Sequence, residues 1–215
     1  MSSVLKLLLT GGLLLGASNM ASAAVISFST PFGPASTDFT IGPISLSSFD
    51  PTLGTLTGVK LTLYAAGNFS GTVKNSAPQS ETFTLTEDFA LNIASSTAGL
   101  NGLTTGFASS QTFTDLAADA AADFGPFSPS NTSTTDPTNL SAFEAGPLSF
   151  TASTSTSTIA KGDGGNVTSR FTTTASGIVD VAYTYNEPTP VPEPASLALL
   201  GAGLVAMGRI RRRQA

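Results

Sequence analysis

Hydrophobic and polar positions alternate with a period of two along much of the middle of the chain. Val59, Leu61 and Leu63 alternate with Lys60, Thr62 and Tyr64, which predicts a strand with one buried and one solvated face. Between residues 81 and 93, Phe83, Leu85, Phe89, Leu91 and Ile93 share one parity, while Thr82, Thr84, Thr86, Asp88 and Asn92 take the other. That parity turns Glu87 inward, which predicts a bend or bulge there. Val179, Val181, Tyr183 and Tyr185 alternate with Asp180, Ala182 and Thr184. Weaker alternation predicts strands at 25–29, 38–41, 69–75, 148–159 and 166–175.

Turn chemistry punctuates these runs at Gly42-Pro43, Asp50-Pro51 and Gly67-Asn68, and a glycine-rich hairpin turn is expected over 161–166. Asp50 before Pro51 can accept a bond from the N–H two residues on. Phe49 and Leu53 would pack beneath that turn, and Gly54 would admit a left-handed residue. Residues 115–124, DLAADAAADF, read as the one helix, with Asp115, Asp119 and Asp123 along one face. Residues 125–139 read as a long surface loop. The expected fold is all-β, an antiparallel β-sandwich with one short helix. A signal-peptide helix and a hydrophobic anchor helix flank it.

The ends have a different character. Lys6, an apolar run over 7–17 with six leucines, and Ala21-Ser22-Ala23 fit a secretory signal peptide cut before Ala24. At the other end Val191-Pro192-Glu193-Pro194 precedes an apolar run over 195–208, followed by Arg209, Arg211, Arg212 and Arg213. The prolines force an extended, accessible segment. Fourteen apolar residues make a helix of about 21 Å. That spans a hydrocarbon core of roughly 30 Å only if the bilayer thins and the arginines snorkel. The chain thus divides into 1–23, an exported domain over 24–187, and a tail over 188–215.

Pro192-Glu193-Pro194, the small-residue apolar run and the terminal arginines together resemble the PEP-CTERM sorting signal of Gram-negative exported proteins. The resemblance implies an exosortase and the inner membrane as partners of a membrane-anchored precursor. Display at the cell surface or in the extracellular matrix would follow, with exopolysaccharide as a further partner. Similar tails are also known as the C-terminal part of ice-binding proteins. A second resemblance lies within the domain. Residues 49–63, FDPTLGTLTGVKLTL, look like the opening signature of the choice-of-anchor E domain. Leu140-Ser141-Ala142-Phe143-Glu144 through Tyr183-Thr184-Tyr185 looks like its closing half. This similarity is clearest over 49–185 and implies surface display without a known chemistry.

Composition narrows the chemistry. The chain has no cysteine or histidine and no tryptophan. Disulfides, the usual zinc and copper sites, and Ser-His-Asp or Cys-His catalysis are therefore excluded. Residues 24–191 carry four bases against thirteen acids, which leaves too little positive charge for nucleic acid. The aspartates at 115, 119 and 123 are too widely spaced along a helix for a shared calcium ion. Glu87 and Asp88 are adjacent acids, but no tryptophan is available to hold a sugar beside a carboxylate pair. The sequence therefore predicts a non-enzymatic surface or matrix protein without a cofactor or metal. The alternative is an ice- or carbohydrate-binding module. Ice binding would use threonine rows such as Thr154, Thr156 and Thr158, or Thr172 and Thr174.

Overall fold

A computed structural model describes residues 23–95, 97, 100, 102–162, 166–188 and 201. The chain divides into one unit over Ala23–Glu187 and another made of Met1–Ser22 with Pro188–Ala215. Almost every described residue belongs to the first. Ala21, the run 189–200 with Val191, Pro192, Glu193 and Pro194, and the arginines at 209 and 211–213 lie outside the described residues, and so, apart from Gly201, do the segments expected to form the signal-peptide and anchor helices.

Nine strands are described: β1 (Ala23–Ser36), β2 (Thr40–Leu46), β3 (Thr55–Asn75), β4 (Glu81–Ser95), β5 (Leu103–Leu116), β6 (Ala121–Phe127), β7 (Ser130–Thr135), β8 (Leu148–Gly162) and β9 (Val167–Asn186). Helical structure among the described residues amounts to the short 3-10 turns Pro51–Leu53 and Leu140–Phe143, and Gly201. One sheet has the order β1-β9-β3-β6, with β7 also paired to β3. The other has the order β2-β8-β4-β5, and every pairing is antiparallel. With β7 set aside, these are the strand orders of a jelly roll, in which the chain winds back and forth between two sheets.

That winding overturns several local expectations. β8 ends at Gly162 in one sheet and β9 begins at Val167 in the other, so the two strands do not form the expected hairpin. Gly67-Asn68 is no turn either. β3 runs straight through it, with Gly67 opposite Ala175 and Asn68 opposite Thr174. Gly42-Pro43 sits inside β2 and marks a register shift between Ile41 and Ile44, because proline has no N–H for the ladder. β4 passes Glu87 without a bulge and stays in register with both neighbours from Phe83 to Ile93.

Residues 115–124 are not a helix. Asp115 and Asp119 adopt φ of 49° and 56°, which a right-handed helix cannot contain. Asp115 instead lies near the end of β5, and Asp123 lies in β6. Alanine-rich composition favours a helix by propensity, but Phe124 is pulled into the core, where it meets Phe127 and Phe171. The expected long loop over 125–139 is largely strand: β6 and β7 share one edge of β3, at residues 69–74 and 61–66.

The core lies between the sheets and is built from one parity of each strand. Leu61, Leu63, Leu91, Ile93, Val179 and Val181 are all fully enclosed. Tyr183 packs against Phe28, Phe49 and Phe143 and donates its hydroxyl to the Ser47 carbonyl at 2.8 Å. Its burial pushes the phenol well above its usual range. Asp50 accepts from the Thr52 N–H at 2.9 Å, as the sequence predicts. Phe49 is buried beneath that turn, whereas Leu53 is exposed. Gly54 takes φ of 144°, and a Cβ there would fall on the Asn186 carbonyl.

Two polar side chains of β3 are buried, Asn75 on its inward parity and Thr62 on its outer one. Asn75 ties two chain turns together, donating to the carbonyls of Gln79 and Leu116 and accepting from the Ala77 N–H, each at 2.8 Å. Thr62 sits on the outer parity of β3, yet it is only 5% exposed. Asp180 on β9 and Thr134 on β7 flank it, so the middle of a five-stranded sheet shields even its outer face.

Candidate functional site

The threonines of β8 do not form an outward row. Thr154, Thr156 and Thr158 continue the parity of Leu148, Phe150 and Ala152, so they point between the sheets. The outward positions belong to Ser153, Ser155 and Ser157. At this end the core turns polar and opens into a cleft of about 430 Å³, lined by Ser36, Thr37, Glu87, Thr156, Thr158 and the β9 run Phe171–Thr172–Thr173. That volume lies in the range of small-ligand sites, roughly 300–1,000 Å³.

Glu87 is the charged group of the cleft and is 3% exposed. Burial pushes its carboxyl above the usual value, and the nearby charges of Asp38 and Asp88 push the same way. The Thr158 hydroxyl, donated to one carboxyl oxygen, pulls in the opposite direction. Thr156 donates to Asp38 at 3.1 Å, and Thr37 donates to the Thr173 carbonyl at 3.4 Å. The chain at Thr37 and Phe39 is pinned by backbone and side-chain bonds of 3.0 Å to Thr173 and Thr154. Thr156 and Thr158 on β8, together with the bend at Thr37–Asp38 between β1 and β2, therefore set this geometry.

The hydroxyl protons of Thr37, Thr156 and Thr158 are already committed within the protein. What they and the Glu87 carboxyl still offer the cleft is acceptor lone pairs. Such a wall suits a ligand rich in hydrogen-bond donors and repels an anion. Among the described residues no three His, Cys, Asp or Glu side chains gather in a way that could hold a metal ion.

The other acids singled out by sequence are not brought together. Asp119 pairs with Lys74 at 3.2 Å, and Asp115 accepts from Thr82 at 3.5 Å. Asp38 and Thr37 escape sequence reasoning, because they join Glu87 only through the jelly-roll winding. The signal for the site was the inward parity of Glu87. Ala23 and Ala24 open β1, opposite Asn186 and Tyr185 at the end of β9.

The solvent face of the second sheet carries a different array. Thr84 meets Thr112 at 2.9 Å, Thr86 meets Ser110 at 2.8 Å, and Asn92 donates to Thr104 at 3.0 Å. Each is a directly opposed pair across β4 and β5. On the first sheet, Thr172 and Thr174 both take the outer parity of β9.

The model of the PEP-CTERM protein-sorting motif matches residues 190–213, which include Val191 through Pro194 and the arginines from Arg209 to Arg213. The tail carries a PEP-CTERM sorting motif. Such a signal is recognised by an exosortase at the membrane and implies an exosortase-processed, exported surface protein. It indicates a membrane-anchored precursor exported through the envelope of Gram-negative bacteria. Among the described residues no helix is long and apolar enough to cross a membrane.

No curated protein matches the chain. Among solved structures it is similar to infectious bursal disease virus Gx strain, at 11% identity and a TM-score of 0.19 over 88% of this chain and 50% of that one. It is similar also to the VP2 subviral particle of that virus, at 13% identity and a TM-score of 0.21 over 90% and 50%. A third similarity is to Mud Crab Dicistrovirus, at 11% identity and a TM-score of 0.20 over 90% and 85%. The chain thus spans half the length of the two bursal disease virus chains.

Proposed function

We propose that the chain is a non-enzymatic protein of the cell surface or extracellular matrix, and that its jelly-roll domain holds a neutral exopolysaccharide in the cleft around Glu87. The observation that carries this reading is the acceptor-lined wall formed by Glu87, Thr156 and Thr158, with Asp38 behind Thr156 taking its hydroxyl proton. Sugar hydroxyls are donors in the required density, and the cleft has room for a sugar ring against Phe171. The PEP-CTERM motif at 190–213 supports delivery to the surface. The similarity of residues 49–185 to the choice-of-anchor E domain supports display there.

Affinity electrophoresis tests the reading. The exported protein should be retarded in gels containing neutral glucans or mannans and run freely in alginate, which is anionic. Glu87→Gln, which replaces an acceptor oxygen by an amide donor, should weaken the retardation. Free migration in every neutral gel would contradict carbohydrate binding.

A second reading is ice binding, favoured by the hydroxyl pairs on the outer face of β4 and β5. Thermal hysteresis separates the two. Ice binding predicts hysteresis that a Thr84→Val, Thr86→Val variant reduces, and none at high protein concentration would reject it.

A further inference from the structure

A second concavity, unconnected with the acceptor-lined wall, lies on the outer face of the first sheet. It has a volume of about 370 Å³ and forms where β1, β9, β3 and β7 run side by side. Tyr64 on β3 stands directly opposite Ile178 on β9, and Pro31 on β1 flanks Ile178 from the other side. Tyr64 is 46% exposed and Ile178 is 42% exposed. Large apolar groups at neighbouring positions of a solvated sheet are unfavourable to leave wet and mark contact sites. The rim supplies the hydroxyls of Ser130, Thr132 and Ser176, and none of the described lining residues is charged.

A tyrosine face beside an apolar neighbour, ringed by hydroxyls and without charge, fits a ligand with an apolar face and a polar edge. A pyranose ring has that character: its C–H face lies on an aromatic ring while its hydroxyls reach the rim. An ion or a charged peptide would find no counter-charge here. We infer that this pit is a second carbohydrate contact, at which a neutral pyranose unit stacks on Tyr64. The inference rests on the reading that the domain binds polysaccharide, but it uses none of the residues of the Glu87 cleft.

The test compares wild type, Tyr64→Ala, Tyr64→Phe, Glu87→Gln and the Tyr64→Ala, Glu87→Gln double variant in gels containing hydroxyethyl cellulose, with sedimentation of each protein alone. Tyr64→Ala should weaken retention about tenfold, the scale of one lost aromatic contact, while Tyr64→Phe keeps it. Glu87→Gln should leave residual binding that the double variant abolishes. Unchanged retention of Tyr64→Ala would overturn the pit. So would a change in sedimentation with retention intact, which would assign the pit to a second copy of the chain. Retention lost in Tyr64→Ala but unaffected by Glu87→Gln would overturn the cleft and leave the pit standing. A wild type that runs freely would overturn both.

Discussion

Thr158 donates its hydroxyl to Glu87 from the position directly opposite on the neighbouring strand, and both side chains point between the sheets. The pair explains how an acid survives where parity puts a hydrophobic side chain. Its cost is offset by a local donor and by the widening of the core into a cleft.

The pair sets a pH dependence. Burial raises the Glu87 carboxyl above its usual value of 4.5, so the folded protein holds this proton more tightly than the unfolded chain does. Glu87 therefore favours folding fully below pH 4.5 and progressively less as pH rises through its own higher value. Glu87→Gln, which cannot ionise, should remove that component. Thermal melts from pH 4 to pH 8 should show wild type losing ground to the variant as pH rises. Parallel curves would mean that the carboxyl is not perturbed.

Burial on both faces of β3 leads to a second expectation. Leu61→Ala empties a fully enclosed site and should cost about 2–5 kcal/mol. Thr62→Ala lies on the opposite parity but is shielded by Asp180 and Thr134, and should cost about 1 kcal/mol. Denaturant melts of the two variants check the ranking. Equal losses would contradict the assignment of Leu61 to the space between the sheets.

Much of this fold was legible in the sequence, and the failures share a physical origin. Strong alternation in β3, β4 and β9 gave the strands and their inward faces, including Tyr183 and Glu87. Asp50 and Gly54 declared their turn because that chemistry is local. Residues 115–124 misled because alanine and aspartate describe a helix locally, while Phe124 answers to distant partners, Phe127 and Phe171. β7 was hidden because Ser130–Thr135 is polar on both faces and is a strand only through its pairing with β3. The threonines of β8 were legible as a row, but their face was not. It follows from the parity of Phe150 and Ala152 in a strand that runs past the apolar core.

Processing of the ends provides a third prediction. Intact mass spectrometry of surface or released protein should give a species that begins at Ala24 and ends near Pro192–Pro194, without the arginines at 209 and 211–213. A surface species that retains those arginines would replace exosortase processing by plain anchoring.

The central claim, that the Glu87 cleft receives a donor-rich neutral glycan, is tested most directly by NMR of the side-chain carboxyl carbons in glutamate-labelled protein. Glutamate is sparse in this chain, and Glu87→Gln identifies the Glu87 signal by its loss. Adding a neutral oligosaccharide should shift that signal saturably and leave Glu144 in place. A Glu87 resonance that stays fixed while the protein binds the same oligosaccharide would contradict the claim.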